Sequence, residues 1–154
     1  MKIGYRIALS LLLLLPLAGA GAGASDGLVD VRSRFSVQET IDRYQAAVEK
    51  AGMKVFDRID HAAGAAGVGL ALRPTTLLIF GNPKVGSQLM LSDQRAGIDL
   101  PMKALAWRDA EGVVWLSYNP PAYLFGRHPI SGKEKLRHKM EQALAHFAKA
   151  ATRP

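Results

Sequence analysis

The strongest constraint on the fold is a hairpin signal in residues 103–118. Two apolar runs, KALAWRD and VVWLSY, flank the turn sequence Ala110-Glu111-Gly112, and strands joined by so short a turn pair antiparallel. Residues 53–61 and 75–81 have the composition of two further strands, separated by a loop over residues 62–74. Residues 28–35 alternate apolar and polar side chains, as a half-exposed strand does. The sequence therefore predicts a mainly antiparallel sheet.

Helical patterns separate these strands. Ser36 and Glu39 have the spacing of a capping box and open a helix that ends at Gly52. A second helix is predicted over residues 87–97, and a short one follows Asn119, with Pro120 at its first position.

The last helix is predicted to begin at Ser131, which forms a second capping box with Glu134. An apolar stripe should face the core, and at 100° per residue a basic face lies opposite it. The stripe is Leu136, Met140, Ala143, Leu144 and Phe147, and the outer face is Lys135, His138, Gln142, His146 and Lys149. The element order β-α-β-β-α-β-β-α predicts an α+β fold: a two-layer domain with helices packed on one face of the sheet.

The N-terminal residues 1–24 have the order of a secretory signal peptide. Lys2 and Arg6 precede a Leu-rich run, and Ala-x-Ala sites favour cleavage after Ala24. The uncharged run 7–24 just reaches the length of a minimal membrane span, so a retained anchor is the alternative. We expect a periplasmic or secreted protein in which residues 25–154 form a single domain.

Composition excludes several classes of chemistry. The chain has no cysteine, which rules out thiol catalysis, iron–sulfur clusters and Cys–zinc sites. Five Met and four His could suggest copper, but there is no Met-x-Met or His-x-His pair. We therefore predict no metal and no cofactor.

Charge is concentrated near the C-terminus. Residues 127–154 carry seven Lys and Arg against two Glu, whereas residues 25–126 are balanced. This asymmetry predicts attraction to an anionic surface through Lys135, His138 and Lys149. No interleaved aromatic pattern favours nucleic acid, and a homodimer formed through a sheet edge or a helix face stays open.

Gly81-Asn82-Pro83-Lys84 breaks an apolar run between a strand and a helix. The spacing with Gly86 is close to that of a P-loop, but Ser87 stands where the motif needs Lys, and Pro83 lacks an N–H donor. A nucleotide-binding P-loop is excluded. A turn, or a small anion at the helix start, remains.

Polar side chains at element ends are the candidate ligand-binding residues, because sites often form there. They are His61, Asn82, Lys84, Asp99, Lys103, Tyr118 and Asn119. The plain alternative is that they cap and solvate turns. If the strands flanking the 62–74 loop form a simple hairpin, His61 and Lys84 lie at opposite ends of the sheet.

The motifs of residues 28–148 resemble the family called domain of unknown function 302. The family motifs GNPK, DLPLK and YNDPAYL with a following RH correspond to residues 81–84, 99–103 and 118–124, with Met102 in place of Leu and Pro120 in place of Asp. The resemblance implies a small α+β domain and no established activity. It also implies a site where His61, from the family's IDH motif, lies near Lys84, Lys103 and Asn119.

No complete catalytic constellation is present, which favours a non-enzymatic module that binds a small ligand or a protein. The alternative is a small enzyme in which His61 is the general acid or base and Lys84 or Lys103 stabilises a developing anion.

Overall fold

Five strands form one sheet in the computed structural model, which describes residues 27–154. The strands are β1 (Val29–Ser33), β2 (Lys54–Asp60), β3 (Thr75–Gly81), β4 (Met102–Arg108) and β5 (Val114–Tyr118). Their order across the sheet is β1-β5-β4-β3-β2, and each neighbouring pair is antiparallel. The predicted antiparallel sheet is confirmed, while the predicted signal peptide and its cleavage lie outside the described residues.

Five helices complete the described chain: α1 (Val37–Lys50), α2 (His61–Ala66), α3 (Pro83–Met90), α4 (Pro121–Arg127) and α5 (Glu134–Thr152). A 3-10 turn, Gln94–Ile98, links α3 to β4. Apart from α2 and this turn, the order of elements is the one that the sequence predicts.

The sheet and the two long helices, α1 and α5, enclose the main core. Strand alternation explains the layer, since every second residue of β3 is buried beneath the helices. The buried residues of the main core are Val37, Ile41, Tyr44, Val48, Leu78, Phe80, Ala104, Ala106, Leu116, Tyr118, Leu144, Phe147, Ala148 and Ala151. The two-layer α+β architecture is therefore confirmed.

A second, smaller hydrophobic cluster lies beside the main core. Its buried members are Leu89, Ala96, Leu124 and Ile130, from α3, the 3-10 turn, α4 and the segment before α5. Met90, Leu100, Phe125, Leu136 and Met140 pack against it. We call this group the second cluster.

Three helix starts differ from the predictions, and one agrees with them. Ser36 Oγ accepts the Glu39 N–H at 3.1 Å, as predicted. α3 begins at Pro83 rather than near Ser87, because Asn82 caps it and proline suits the first helical turn. α4 also starts one residue later than predicted, with Pro120 at the N-cap position and no side-chain cap.

The start of α5 is the third difference. Ser131 does not cap it: Gly132 has φ +68°, and the helix begins at Glu134 after Lys133 without a side-chain cap. A left-handed residue between Ser131 and the helix redirects the chain, so the capping-box spacing is not used.

Candidate functional site

A cavity of about 510 Å³ lies where the main core meets the second cluster. Its walls come from the chain before and within β2, from the β3–α3 connection, from the entry to β4 and from the first half of α5. The lining residues are Met53, Phe56, Phe80, Gly81, Asn82, Pro83, Val85, Gly86, Ser87, Met90, Leu100, Pro101, Met102, Leu136, Lys139, Met140, Ala143 and Leu144. The volume is in the range of small-molecule sites.

Four methionines line this cavity: Met53, Met90, Met102 and Met140. They are all the methionines that follow Met1 in the chain. They come from four separate segments, and only the folded topology brings them together. Methionine is flexible and polarizable, so such walls adapt to ligands of different shape.

Helical periodicity builds the α5 wall of the cavity. On α5, Leu136, Met140 and Ala143 are spaced three or four residues apart, which puts them on one helical face. On the opposite side, Val85 and Met90 project from α3. The predicted core stripe of α5 is thus divided between the cavity and the buried core.

Polar groups are scarce in the cavity. Asn82 uses its side-chain oxygen to accept the Lys84 N–H at 2.9 Å, so it serves the α3 N-terminus. Ser87 and Lys139 are exposed residues, and the cavity therefore reaches the surface beside them. Lys139 is the cationic residue of the lining.

A cluster of charged side chains lies next to the cavity and centres on His128, which is 6% exposed. Its Nε2 is 2.6 Å from Asp99 Oδ2, and its Nδ1 is 3.3 Å from Asp93 Oδ2. Arg127 Nη1 donates to Asp99 Oδ1 at 2.9 Å and to the Tyr123 hydroxyl at 3.1 Å. We call this group the His128 clamp.

The His128 clamp holds one wall of the cavity. Asp93 follows Met90 by three residues, and Asp99 directly precedes Leu100. Because both carboxylates bind the ring of His128, the segment from Met90 to Leu100 is tied to the end of α4. Each ring nitrogen of His128 therefore lies within reach of a different carboxylate.

Arg95 adds a further charge to the clamp. Its Nε and Nη2 donate to Asp93 Oδ1 and Oδ2, both at 3.1 Å. The Arg95 side chain lowers the pKa of the Asp93 carboxyl, with smaller contributions from the Arg95 backbone N–H and from His128. Asp93 is therefore a stable anion beside His128.

Several of the candidate site residues form hydrogen bonds with other groups of the protein. Lys103 Nζ donates to the carbonyls of Asp99 and Pro101, at 3.3 and 3.0 Å, and Asp99 is engaged in the clamp. Tyr118 lies in the main core, where burial raises the pKa of its hydroxyl. Of the seven candidates, all of which the structure describes, Asn82 is the one that lines the cavity.

Six of the seven candidates lie at one end of the sheet, and His61 lies at the other. Asp60, just before His61, pairs with Thr76, whereas Lys54 pairs with Gly81, just before Asn82. The five residue steps from Thr76 to Gly81 span roughly 17 Å. The expected neighbourhood of His61 with Lys84, Lys103 and Asn119 is therefore wrong, because the β2–β3 strands form the simple hairpin that separates them.

Lys84 and Asn119 are exposed at the cavity end of the sheet. His61 is exposed at the start of α2, after Asp60, whose side chain caps that helix. Among residues 27–154, no group of three or more His, Asp or Glu side chains could hold a metal ion.

Sequence reasoning missed the methionine lining and the His128 clamp. A usable signal for the clamp was present: Asp99 begins DLPMK, Arg127-His128 is the RH pair, and Tyr123 belongs to the YNPPAYL segment. The structure joins all three motifs at Asp99 and Arg127. Residues of the DLPMK, YNPPAYL and RH motifs are therefore hydrogen-bonded to one another in the fold.

The fold and the cavity define a small two-layer α+β domain with an apolar cavity at one end of its sheet. The chain belongs to the family described as domain of unknown function DUF302, whose model matches residues 29–147. A crystal structure of an uncharacterized conserved DUF302 protein from Bacillus stearothermophilus is similar, with a TM-score of 0.73 over 82% of this chain and 99% of that chain. The two sequences are 19% identical, so this likeness establishes the fold alone.

Two Brucella proteins named as ion channels are also similar to this chain. It is 54% identical over 104 residues to "Fluoride-specific ion channel FluC 1" of Brucella suis, covering 68% of this chain and 41% of that protein. The same identity and length apply to "Fluoride-specific ion channel FluC 2" of Brucella melitensis, of which 38% is covered. The chain thus spans about two-fifths of the curated relatives that it matches.

These relatives contradict the predicted periplasmic or secreted location. Ion channels are membrane proteins, so sequence closely similar to this chain occurs within chains named as membrane proteins. An uncharged N-terminal run does not by itself distinguish an export signal from another membrane-associated segment. Within residues 27–154, no helix combines the length and the apolar character needed to cross a membrane.

Proposed function

We propose that this domain is a non-enzymatic accessory module that binds an apolar group in the methionine-lined cavity. The observation that carries the proposal is the cavity itself: about 510 Å³, reaching the surface, with four methionines in its walls. Apolar pockets with a few polar groups at the rim are the usual form of small-molecule sites.

The character of the lining supports a ligand rather than tighter packing. Met53, Met90, Met102 and Met140 have unbranched side chains that can change rotamer without moving the backbone. A site lined in this way accepts a flexible aliphatic group more readily than a rigid polar one. The walls on the two sides also belong to different hydrophobic clusters, which allows them to separate slightly.

The titratable groups near the cavity favour binding over catalysis. Asp99, Lys103 and His128 are engaged with partners inside the protein. The enzyme alternative needs His61 within hydrogen-bond reach of a substrate that Lys84 or Lys103 also contacts. The roughly 17 Å between the two ends of β3 does not allow that arrangement.

A neutral polarity-sensitive dye, Nile red, tests the proposal. We expect saturable binding of one dye per protein, with strong fluorescence enhancement. Ala143 lines the cavity, so Ala143→Trp should fill it and abolish binding, whereas Ala145→Trp on the exposed side of α5 should leave binding unchanged. Thermal melts of both variants check folding, and Met140→Trp is the second cavity variant. Equal binding by the wild type and a folded Ala143→Trp or Met140→Trp variant would refute the proposal.

A second candidate function rests on the Brucella relatives. Because a similar segment is part of chains named as fluoride-specific ion channels, this domain could act as a separate accessory to such a channel. The test is sedimentation of the purified domain with liposomes that contain a purified FluC channel, against channel-free liposomes of the same lipid. Greater sedimentation with the channel supports the idea, and equal sedimentation removes it.

A further inference from the structure

The outer surface of α5 differs on its two flanks. At 100° per residue, the face of α5 that lines the cavity is bordered on one side by Lys139, His146 and Lys135, and Gln142 and Lys149 lie further round the helix on the same flank. No acidic residue of α5 lies on that flank. On the other flank, Arg137 Nε and Glu141 Oε1 are 3.6 Å apart.

Two lysines of α5, Lys139 and Lys135, are free to meet a ligand. Lys139 lines the cavity and Lys135 lies one helical turn before it, and both are exposed. Within residues 27–154, neither ammonium group takes part in an ion pair or a side-chain hydrogen bond. His138, by contrast, lies beyond this flank, with its Nδ1 3.8 Å from Glu141 Oε2. Unpaired positive charge is thus concentrated at the cavity entrance.

We infer that the ligand of this cavity is an amphiphile with one aliphatic chain and an anionic head group. The chain occupies the methionine-lined volume, and the head group remains at the surface beside Lys139, with Lys135 one turn away. This inference rests on the proposed binding function and adds the ligand class. Charge complementarity supports it, because Lys139 at the entrance and Lys135 one helical turn away carry unpaired ammonium groups, while the lining offers few polar partners.

The interior also argues against other ligand classes. A sugar or a nucleotide would bury hydroxyls or phosphates that the walls cannot satisfy, and an unsatisfied buried polar group is costly. An aliphatic chain has no such requirement. An anion that stays at the entrance keeps its contact with water and gains the attraction of Lys139.

Displacement of Nile red by two compounds of equal chain length tests the inference. Palmitate carries a carboxylate, and hexadecanol is its neutral analogue; both are used below their aggregation concentrations. Palmitate should displace the dye at lower concentration than hexadecanol does. Lys139→Gln should weaken palmitate about two- to fivefold, which is the effect of losing one partly exposed ion pair, and should leave hexadecanol unchanged.

Lys149→Gln distinguishes a discrete head-group site from a general attraction to a basic helix. Lys149 lies ten residues further along α5, at roughly 15 Å. If Lys149→Gln weakens palmitate as much as Lys139→Gln does, the attraction is diffuse and the inference is wrong. Equal affinity for palmitate and hexadecanol also overturns it, while the proposed binding function survives. If neither compound nor the dye binds the folded protein, the proposed function itself fails.

The anionic head could be a carboxylate or a phosphate ester. A third arm with 1-palmitoyl lysophosphatidylglycerol, which shares the chain, separates these sources. Tighter, Lys139-dependent binding of the lysophospholipid would assign the site to a membrane-derived lipid. Tighter, Lys139-dependent binding of palmitate would assign it to a free fatty acid. Weakening by Lys139→Gln is required in either case.

Discussion

The main core and the second cluster are stabilised in different ways. The main core lies between two extended layers, the sheet on one side and α1 and α5 on the other, and its buried residues are almost all apolar. The second cluster has four buried residues supplied by short helices and turns. Beside it, His128 binds two carboxylates. Burial of apolar side chains stabilises the two large layers of the main core. The short helices and turns of the second cluster are held in place by charged contacts as well.

The cavity lies at the boundary between these two regions. Phe80 and Leu144 belong to the main core, while Met90 and Leu100 pack on the second cluster, and all four line the cavity. Close packing is achieved within each region. The space between them is the site that we propose for the ligand.

The largest expected effect comes from a matched pair of leucines. Leu78 in the main core and Leu89 in the second cluster are both fully buried, so either Leu→Ala change should cost about 2–5 kcal/mol locally. We expect Leu78→Ala to lower the global free energy of unfolding by that amount. Leu89→Ala should mainly promote local opening of α3 and α4.

Urea denaturation and amide hydrogen exchange measure the two effects. The comparison predicts faster exchange in α3 and α4 for Leu89→Ala, with β3 and β4 still protected. Uniformly faster exchange in all elements would show that the two regions unfold as one cooperative unit.

His128→Asn tests the clamp. The change removes the partner of two poorly exposed carboxylates, and we expect a loss of about 1–3 kcal/mol, the cost of leaving a poorly solvated acceptor without its donor. Nile red affinity should also fall, because the segment from Met90 to Leu100 is released. His138→Asn, at an exposed pair with Glu141, should change stability by less than about 0.5 kcal/mol. Equal small effects of both changes would mean that the clamp does not stabilise this region.

One aspartate in each region allows the acid sensitivity of the clamp and of the sheet to be compared. Arg95 lowers the pKa of Asp93 in the clamp, and the indole N–H of Trp115 lowers the pKa of Asp109 at the β4–β5 turn. A lowered pKa in the folded state means that the stabilisation is present above the ordinary value of 3.8 and is lost as pH falls through the folded value.

Asp93→Asn and Asp109→Asn should therefore both be less stable than the wild type at about pH 7, with the difference shrinking toward about pH 3. Urea denaturation across this range measures it. A difference that stays constant with pH would show that the carboxylate charge is not what stabilises either region.

The smallest expected effect is in the main core and has the opposite sign. Tyr44 is fully buried, and its hydroxyl has no hydrogen-bond partner within the described residues. Burial raises the pKa of this hydroxyl, which keeps it neutral. Tyr44→Phe should leave stability unchanged or raise it by about 1 kcal/mol. A clear loss in thermal melts would indicate that the hydroxyl has a partner in solution.

The main core could be predicted from the sequence because its signals are local. β3 runs from Thr75 to Gly81 as predicted, since its side chains alternate at the period of a strand. α1 likewise buries side chains that recur at helical spacing: Val37, Ile41, Tyr44 and Val48.

The cavity and the clamp could not be predicted in the same way. Asp93 and His128 are 35 residues apart in the chain, and no periodic pattern links them. The four lining methionines have no common spacing either. The register between β2 and β3 was a further obstacle, because the composition of a motif does not show which strand ends lie together. For this reason the motifs suggested that His61 lies beside Lys84.

The face of the sheet opposite α1 and α5 gives the molecule a convenient optical property. Both tryptophans of the chain, Trp107 and Trp115, lie there; their ring N–H groups donate to Ser117 and Asp109, each at 2.7 Å. Tyr44 and Tyr118 lie in the main core, and no tryptophan lines the cavity. Tryptophan fluorescence should therefore report on the outer face of the sheet. The ultraviolet absorbance of Tyr44 and Tyr118 should report on the core face. A ligand entering between the two hydrophobic regions should leave the tryptophan signal unaltered, so the protein's own fluorescence can follow unfolding independently of occupancy.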